Sequence, residues 1–301
     1  MRIALVDRIK WYYGDKNIRW RILFGLLALI ILLLLLITPK QKFQSLYDGD
    51  AVYFADEAIP LDGVYITNQE KLDREIALTL LNPAQIVMIH KRENQYIPYI
   101  ESALKKAKIP DDFKYLAIAE SALRNSVVSS AGAAGIWQFM PDTARRYWLT
   151  VDEYIDERMD FEKATDAAMR YLQDLHRLFG NRTMVAAAYN RWENGLQRDL
   201  SWQYVDHYYD ALLNSETARY VYRILALKEV LEHRESYIDP AVLWSHYPKY
   251  ITRTVRVGQI DNLAQWAVDN GYTYLQIREL NPWIKSNILP IGDWELEVWA
   301  K

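Results

Sequence analysis

Sixteen uncharged and almost purely aliphatic residues stand in one run, ILFGLLALIILLLLLI, at positions 22–37. As a helix rising about 1.5 Å per residue, the run would cover roughly 24 Å, and Trp20 and Thr38 extend it toward the ~30 Å of a bilayer core. The alternatives are a cleaved signal peptide and a buried core helix. The next stretch, TPKQKFQ, offers no small-x-small cleavage site, and core helices rarely contain so long an apolar run. We therefore predict an uncleaved transmembrane signal anchor at residues 22–38.

The residues that precede the run set its orientation. Residues 1–21 carry six Lys and Arg side chains against two Asp. Because basic flanks stay in the cytoplasm, we expect a cytoplasmic tail at 1–21 and a single-pass anchor, with the rest in the periplasm or otherwise outside the cytoplasmic membrane. The whole chain has a net charge of −3, so the exported part is distinctly acidic. Such a charge argues against a nucleic-acid partner.

Cysteine and histidine usage removes several kinds of site. The chain has no cysteine, which excludes disulfides, thiol nucleophiles, zinc-thiolate sites and a lipidated cysteine. None of the five histidines follows a metal-ligand spacing such as H-E-x-x-H. We expect no metal site and no cofactor.

Periodicity and turn residues divide the exported part into segments. Glycine is scarce and helical spacing dominates, which predicts a mainly α protein. Residues 39–68 contain turn residues and short β-branched runs, typical of a linker or small arm. Helical periodicity extends over 69–235, and prolines mark a linker at 236–251. Residues 252–301 change to the order strand, helix, helix, strand.

One glutamate lies among apolar residues in the stretch FKYLAIAESAL. Phe113, Leu116, Glu120 and Leu123 step by three, four and three residues, so we predict that they share one face of a helix. In a hydrophobic cleft the pKa of a glutamate rises, which suits a general acid in glycoside hydrolysis. The alternative is a glutamate that reaches solvent or pairs with Arg124, four residues on.

The loop after this helix, SSAGAAGIWQFM, favours a saccharide cleft. Gly132 and Gly135 permit close backbone approach to a ligand. Trp137 offers a flat apolar face for a sugar ring, and Gln138 offers an amide that both donates and accepts hydrogen bonds.

Four motifs in order, IPDDFKYLAIAESAL, SSAGAAGIWQFMPDTAR, DERMD and AAYN, resemble the family 1 lytic transglycosylases, most closely the membrane-bound type D group. The resemblance covers roughly residues 70–235 and implies a lysozyme-like α-helical (SLT) domain. It implies that Glu120 is the catalytic residue and that Ser121 helps to hold its carboxyl. The other positions matching cleft motifs of the family are Gly135, Ile136, Trp137, Gln138, Tyr189, Asn190, Glu216, Thr217 and Tyr220. Trp192 departs from the family, which usually has glycine there.

The resemblance implies a reaction that needs one carboxyl group. Glu120 would protonate the glycosidic oxygen between MurNAc and GlcNAc of peptidoglycan, then deprotonate the C6 hydroxyl of the same MurNAc to leave a 1,6-anhydro end. A muramidase would instead use a second carboxylate and water, for which Asp142 and Glu193 are possible partners. A third reading is a non-catalytic scaffold that binds the cell wall.

The last fifty residues resemble a divergent LysM module. TVRVGQIDNLAQWAVDNG and YLQIRELNPWI fit its βααβ order, whereas GQIDNL departs from the usual Gly-Asp-Thr-Leu. The resemblance implies binding of GlcNAc-containing chains. The alternative is a structural cap without ligand affinity.

Overall fold

The computed structural model describes Leu26, residues 51–243 and residues 246–300. Apart from Leu26, the predicted tail and anchor lie outside the described residues. Within the described ranges, no helix is both long and apolar enough to cross a membrane. The anchor therefore stays a prediction.

Helices make up most of the described chain, which confirms the mainly α fold. Their bounds are α1 (Thr67–Leu80), α2 (Pro83–Ala107), α3 (Lys114–Ser121), α4 (Pro141–Arg146), α5 (Phe161–Phe179), α6 (Arg182–Arg191), α7 (Glu193–Gln203), α8 (Thr217–Glu232), α9 (Arg234–Tyr237), α10 (Leu263–Asp269) and α11 (Tyr274–Leu280). The strands form two antiparallel pairs, β1 (Tyr53–Phe54) with β2 (Glu57–Ala58) and β3 (Thr252–Val257) with β4 (Trp294–Trp299).

Side-chain caps fix where the long helices begin and end. The Asp160 carboxylate accepts the backbone N–H of Lys163 at 3.1 Å at the start of α5, and Gly180, with φ of +80°, ends that helix. The Asn82 side chain accepts the N–H of Gln85 at 3.2 Å at the start of α2. The Asn82 cap therefore marks where α1 gives way to α2.

Helix α3 lies at the centre of the helical domain. Its residues Tyr115 to Ala119 are all buried, and it packs against α8. Helix α6 packs against both α5 and α8, so the end of α3 is surrounded. The arm also contacts this domain, because the Glu57 carboxylate accepts the backbone N–H groups of Arg182 and Thr183 at 2.5 and 2.9 Å. A carboxylate at the first turn of α6 complements the helix dipole.

The predicted helical face through Glu120 is wrong at both ends. Phe113 lies in a short 3₁₀ turn, and α3 ends at Ser121. Ala122 and Leu123 both have left-handed backbone angles, with φ of 53° and 58°, so they reverse the chain. Leu123 is still fully buried, because the reversal folds it back into the core. Glu120 thus occupies the last turn of a buried helix.

The C-terminal residues form the small strand and helix module that the sequence predicts. Strands β3 and β4 pair from Thr252 with Trp299 to Val257 with Trp294, and α10 and α11 lie between them in sequence. Thr273 and Gln276 form a capping box at the start of α11. The domain boundaries drawn from the sequence stay predictions.

Candidate active site

Glu120 meets two residues of α8 at the end of the buried helix α3. Its carboxylate accepts a hydrogen bond from the hydroxyl of Tyr220, which is 3% exposed. Arg223, one turn further along α8, donates to the carbonyl of Ala119 at 2.7 Å. These contacts fix both the backbone and the side chain of the glutamate.

The surroundings raise the pKa of Glu120 to about 7. Loss of solvent around the carboxyl is the main cause, since burial disfavours the anion. The charge of Glu216 raises the pKa further, whereas the hydrogen bond from Tyr220 and the charge of Arg223 lower it. Near neutral pH the carboxyl can therefore both give and take a proton.

Tyr189 connects Glu120 to the glycine-containing loop. Its hydroxyl donates to the carbonyl of Trp137 at 2.7 Å. Burial raises the pKa of Tyr189 well above its usual value, and the charge of Glu120 contributes to the rise. The tyrosine thus lies within electrostatic reach of the carboxyl and holds the loop beside it.

Asn190 joins helix α6 to the start of α8. Its side-chain N–H donates to Glu216 at 3.1 Å, and its carbonyl oxygen accepts the Thr217 hydroxyl at 2.8 Å. The structure therefore brings together Glu120, Tyr189, Asn190, Glu216 and Tyr220, which the sequence selected in three separate motifs.

Three predicted roles in this region are contradicted. The Ser121 hydroxyl donates to the carbonyl of Ala117 at 3.2 Å, so it holds the helix backbone and not the carboxyl. Trp137 is 0% exposed, and its indole N–H donates to the hydroxyl of Thr165 at 3.0 Å. Its ring cannot stack on a sugar, and Ile136 is equally buried. Trp137 contributes its backbone carbonyl to the site.

Gly135 and Gln138 also face the protein. A Cβ atom on Gly135 would lie 1.8 Å from the carbonyl oxygen of Arg158, so the close approach that needs glycine is to the protein backbone. The Gln138 amide donates to the carbonyls of Gly135 and Val127 at 2.8 and 3.3 Å. Both residues shape the loop, and their contact with a ligand stays a prediction.

The two carboxylates considered as partners for Glu120 have other contacts. Asp142 pairs with Arg145 at 3.0 Å and its side chain is fully exposed. Glu193 accepts from Arg146 and from the Tyr171 hydroxyl. Although burial acts to raise it, these hydrogen bonds hold the pKa of Glu193 below its usual value. Neither contact directs an acid toward Glu120.

Three side chains that could ligate a metal converge away from this site. Potential ligand atoms of His90, Glu93 and His246 lie within 4.8 Å of one another. Arg234, however, contacts His90 Nδ1 at 2.7 Å and donates to Glu93 at 2.6 Å. The guanidinium already supplies the positive charge that the carboxylate needs, so we assign no metal to this cluster.

Sequence reasoning missed Arg223 and a cavity beside it. The cavity has a volume of about 240 Å³ and lies between α1, α2 and α8. Its lining includes Tyr220 and Arg223 as well as Thr79, Asn82 and Gln85 from outside the matched motifs. The three-residue spacing of Tyr220 and Arg223 on one helix face was the available signal.

Two family models match parts of this chain. Residues 97–210 match the family model described as the transglycosylase SLT domain. This part of the chain is similar to lytic transglycosylases. Residues 253–293 match the model of the soluble lytic transglycosylase C-terminal LysM-like domain. Both predicted resemblances are confirmed.

The chain spans less than half the length of two curated relatives that it matches. Membrane-bound lytic murein transglycosylase D of Escherichia coli K12 is 29% identical over 195 residues, which is 63% of this chain and 42% of that protein. A putative soluble lytic murein transglycosylase of Haemophilus influenzae is 27% identical over 213 residues, 65% of this chain and 35% of that protein. The crystal structure of the soluble lytic transglycosylase SLT70 from Escherichia coli aligns with a TM-score of 0.39 and 25% identity over 51% of this chain and 27% of that one. That score is too low to support an inference.

Proposed function

We propose that this protein is a lytic transglycosylase that cleaves the bond between MurNAc and GlcNAc in peptidoglycan without water. The proposal rests on Glu120, which lies within the region that matches the SLT domain, near Tyr220 and Tyr189. Its pKa is about 7. The names of the relatives support the substrate class.

The proposed reaction uses the two protonation states of Glu120 in turn. The protonated carboxyl gives its proton to the glycosidic oxygen as the bond to C1 of MurNAc breaks. The carboxylate then takes the proton of the C6 hydroxyl, whose oxygen bonds to C1 and closes the 1,6-anhydro ring. Tyr220 donates to the carboxylate and stabilises the anion between the two steps. The glutamate ends protonated, ready for another cycle.

The nature of the product ends tests the proposal. Mass spectrometry of peptidoglycan digested with the purified protein should show 1,6-anhydro-MurNAc ends, lighter by one water than reducing ends. Reducing ends in their place would assign the protein as a muramidase. Intact glycan would favour the non-catalytic scaffold.

Replacement of Tyr220 by phenylalanine should shift the pH dependence of kcat toward higher pH. The Tyr220 hydrogen bond lowers the pKa of Glu120, so Tyr220→Phe should raise that pKa and move the alkaline limb of kcat to higher pH. At pH 6, where the acid form already dominates, kcat should fall roughly 10-fold, since a hydrogen bond to a charged group is lost. Steady-state rates between pH 5 and 9 provide the measurement. Tyr115→Phe is the control, because that hydroxyl bonds Glu232 instead. An alkaline limb that moves to lower pH would contradict the assigned role of Tyr220.

The basic tail and the aliphatic run support a membrane location for this activity. We propose a single-pass anchor at residues 22–38 that holds the catalytic part on the periplasmic or outer side of the membrane. Retention in the membrane fraction after a carbonate wash tests the anchor. Release into the wash, or a mature chain beginning after residue 38, would contradict it.

The LysM-like module is proposed to bind GlcNAc-containing chains of the same wall. Hydrogen exchange of the full chain with and without GlcNAc oligosaccharides tests this binding. Protection should appear within residues 253–293. Protection confined to 97–210 would mean that the module is a structural cap.

A further inference from the structure

The LysM-like module is docked on a segment of the catalytic domain. Ile155 pairs with Ile284 in an antiparallel bridge. On either side of that bridge, Asp156 N–H donates to the carbonyl of Trp283 at 2.8 Å, and Lys285 N–H donates to the carbonyl of Tyr154 at 2.7 Å. The segment thus adds one extended stretch to the module.

Apolar burial strengthens this docking. Ile155 is fully buried and belongs to one apolar cluster with module residues, including Leu263, Ile277 and Leu296. Met159 packs against the same cluster. The contact is therefore unlike a flexible tether between two independent domains.

The docked segment also holds the loop beside the active site. The Asp156 carboxylate, 4% exposed, accepts two hydrogen bonds from the Arg158 guanidinium at 2.8 and 2.7 Å. Arg158 in turn donates to the carbonyls of Gly132 and Phe139 at 2.6 and 2.9 Å. Asp156 therefore contacts the module through its N–H and fixes the loop through its carboxylate.

The loop leads back to the catalytic glutamate. Between the two carbonyls held by Arg158 lies Trp137, whose own carbonyl accepts the Tyr189 hydroxyl at 2.7 Å. The charge of Glu120 contributes to the raised pKa of that tyrosine, which places the two groups near each other. A set of hydrogen bonds and backbone connections thus runs from Trp283 in the module to Tyr189, which lies within electrostatic reach of Glu120.

We propose that the LysM-like module positions the active-site loop, in addition to any binding of glycan. Its docking on residues 154–156 fixes the Asp156–Arg158 pair, which sets the path of residues 132–139. Ile155, Asp156 and Arg158 are positioning residues. The expected effect of the module on kcat depends on the proposed glycan cleavage. Its expected effect on the order of the loop does not depend on that proposal.

Two variants of the full chain test this role. Ile155→Ala weakens the docking, and Asp156→Asn leaves the backbone bond to the module while weakening the pair with Arg158. The matched control is Ile251→Ala, the same truncation at a residue that is 77% exposed and precedes the module. Hydrogen exchange reports the order of the loop directly. The Ala134 N–H donates to the Phe139 carbonyl at 3.1 Å, and the Phe139 N–H donates to the Ala134 carbonyl at 3.2 Å.

Both test variants should loosen the loop and slow turnover. Exchange at the Ala134 and Phe139 amides should become at least about 10-fold faster while that of α8 stays unchanged. On soluble glycan fragments, kcat should fall roughly 10- to 100-fold with KM within about twofold, because small misplacements of catalytic groups have effects of this size. Ile251→Ala should match the parent in both measurements.

Several results would overturn the proposal. Unchanged loop exchange in both variants would mean that the module does not order the loop. A raised KM with the kcat of the parent would restrict the module to substrate binding. If Ile155→Ala does not fold, Ile155→Val and Asp156→Asn must show the same changes in loop exchange and kcat to a smaller degree. If these two variants show no such changes, the proposal is refuted. A parent protein that cleaves no glycan refutes the proposed function, and the exchange measurement still decides the role of the module.

Discussion

Glu120→Gln should reduce glycan cleavage to background while the protein still folds and binds saccharide. Glutamine keeps the shape of the side chain and can still accept the hydrogen bond from Tyr220. It cannot transfer a proton, and loss of one general acid or base typically lowers the rate 10²- to 10⁴-fold. Here one residue serves as acid and then as base, so both steps fail. Release of soluble fragments from sacculi, followed over hours, provides the measurement.

Stability measurements separate this loss from misfolding. In the folded protein the pKa of Glu120 is about 7, above its ordinary value of 4.5, so between these pH values the folded state binds more protons than the unfolded state. Stability contributed by this group therefore falls as pH rises through that window. Glu120→Gln removes the effect and should be more stable than the parent at pH 8, by at most about 3 kcal/mol. Below pH 4.5 the difference should vanish.

Control variants distinguish the enzymes that could use Glu120. Asp142→Asn changes an exposed carboxylate, and a transglycosylase should keep its rate within about twofold, as for a surface change. A muramidase would instead lose activity when its second carboxylate is removed, either Asp142 or Glu193, and would leave reducing ends. An unchanged rate in Glu120→Gln would refute both enzyme assignments.

The sequence predicts the parts of the site that lie in short motifs on helices. Helical spacing predicts a mainly α domain over 69–235, and motif matches select Glu120, Tyr189 and Tyr220. A motif is a linear pattern, so it shows which residue type occurs at a position but not which other residues that side chain contacts. A motif can therefore select a residue, but the contact itself comes from the fold, since Tyr220 and Glu120 lie 100 residues apart in the chain.

Trp137 shows why the remaining assignments fail. An aromatic ring can cover a sugar or fill a core, and the choice depends on Thr165, which lies 28 residues away. The same holds for Arg158, whose contacts with Gly132 and Phe139 cannot be read from spacing. The end of α3 is another case, since Ala122 and Leu123 both have left-handed backbone angles although neither is glycine, and Leu123 is fully buried. Tertiary contact decides each of these positions.

Gly135→Ala should be the most destabilising single methyl addition in the active-site loop. The new Cβ would lie 1.8 Å from the carbonyl oxygen of Arg158, which is backbone and cannot swing aside. Gly135 also has φ of +80°, a conformation that strains an alanine. Left-handed strain and overpacking together should lower the free energy of unfolding by about 3 to 5 kcal/mol. Urea denaturation of the two proteins at one pH gives the difference.

Gly132→Ala is the matched control in the same loop. Gly132 has φ of +88° but no atom within 4 Å of an added Cβ, so only backbone strain remains, about 1 to 2 kcal/mol. The gap between the two variants therefore isolates the contact with Arg158. Equal destabilisation would mean that the Arg158 carbonyl moves freely, which its guanidinium contacts with Asp156 and Phe139 argue against. A large gap would show that the loop carrying Trp137 is fixed by the segment it packs on, and that glycine is required there to let two backbones meet.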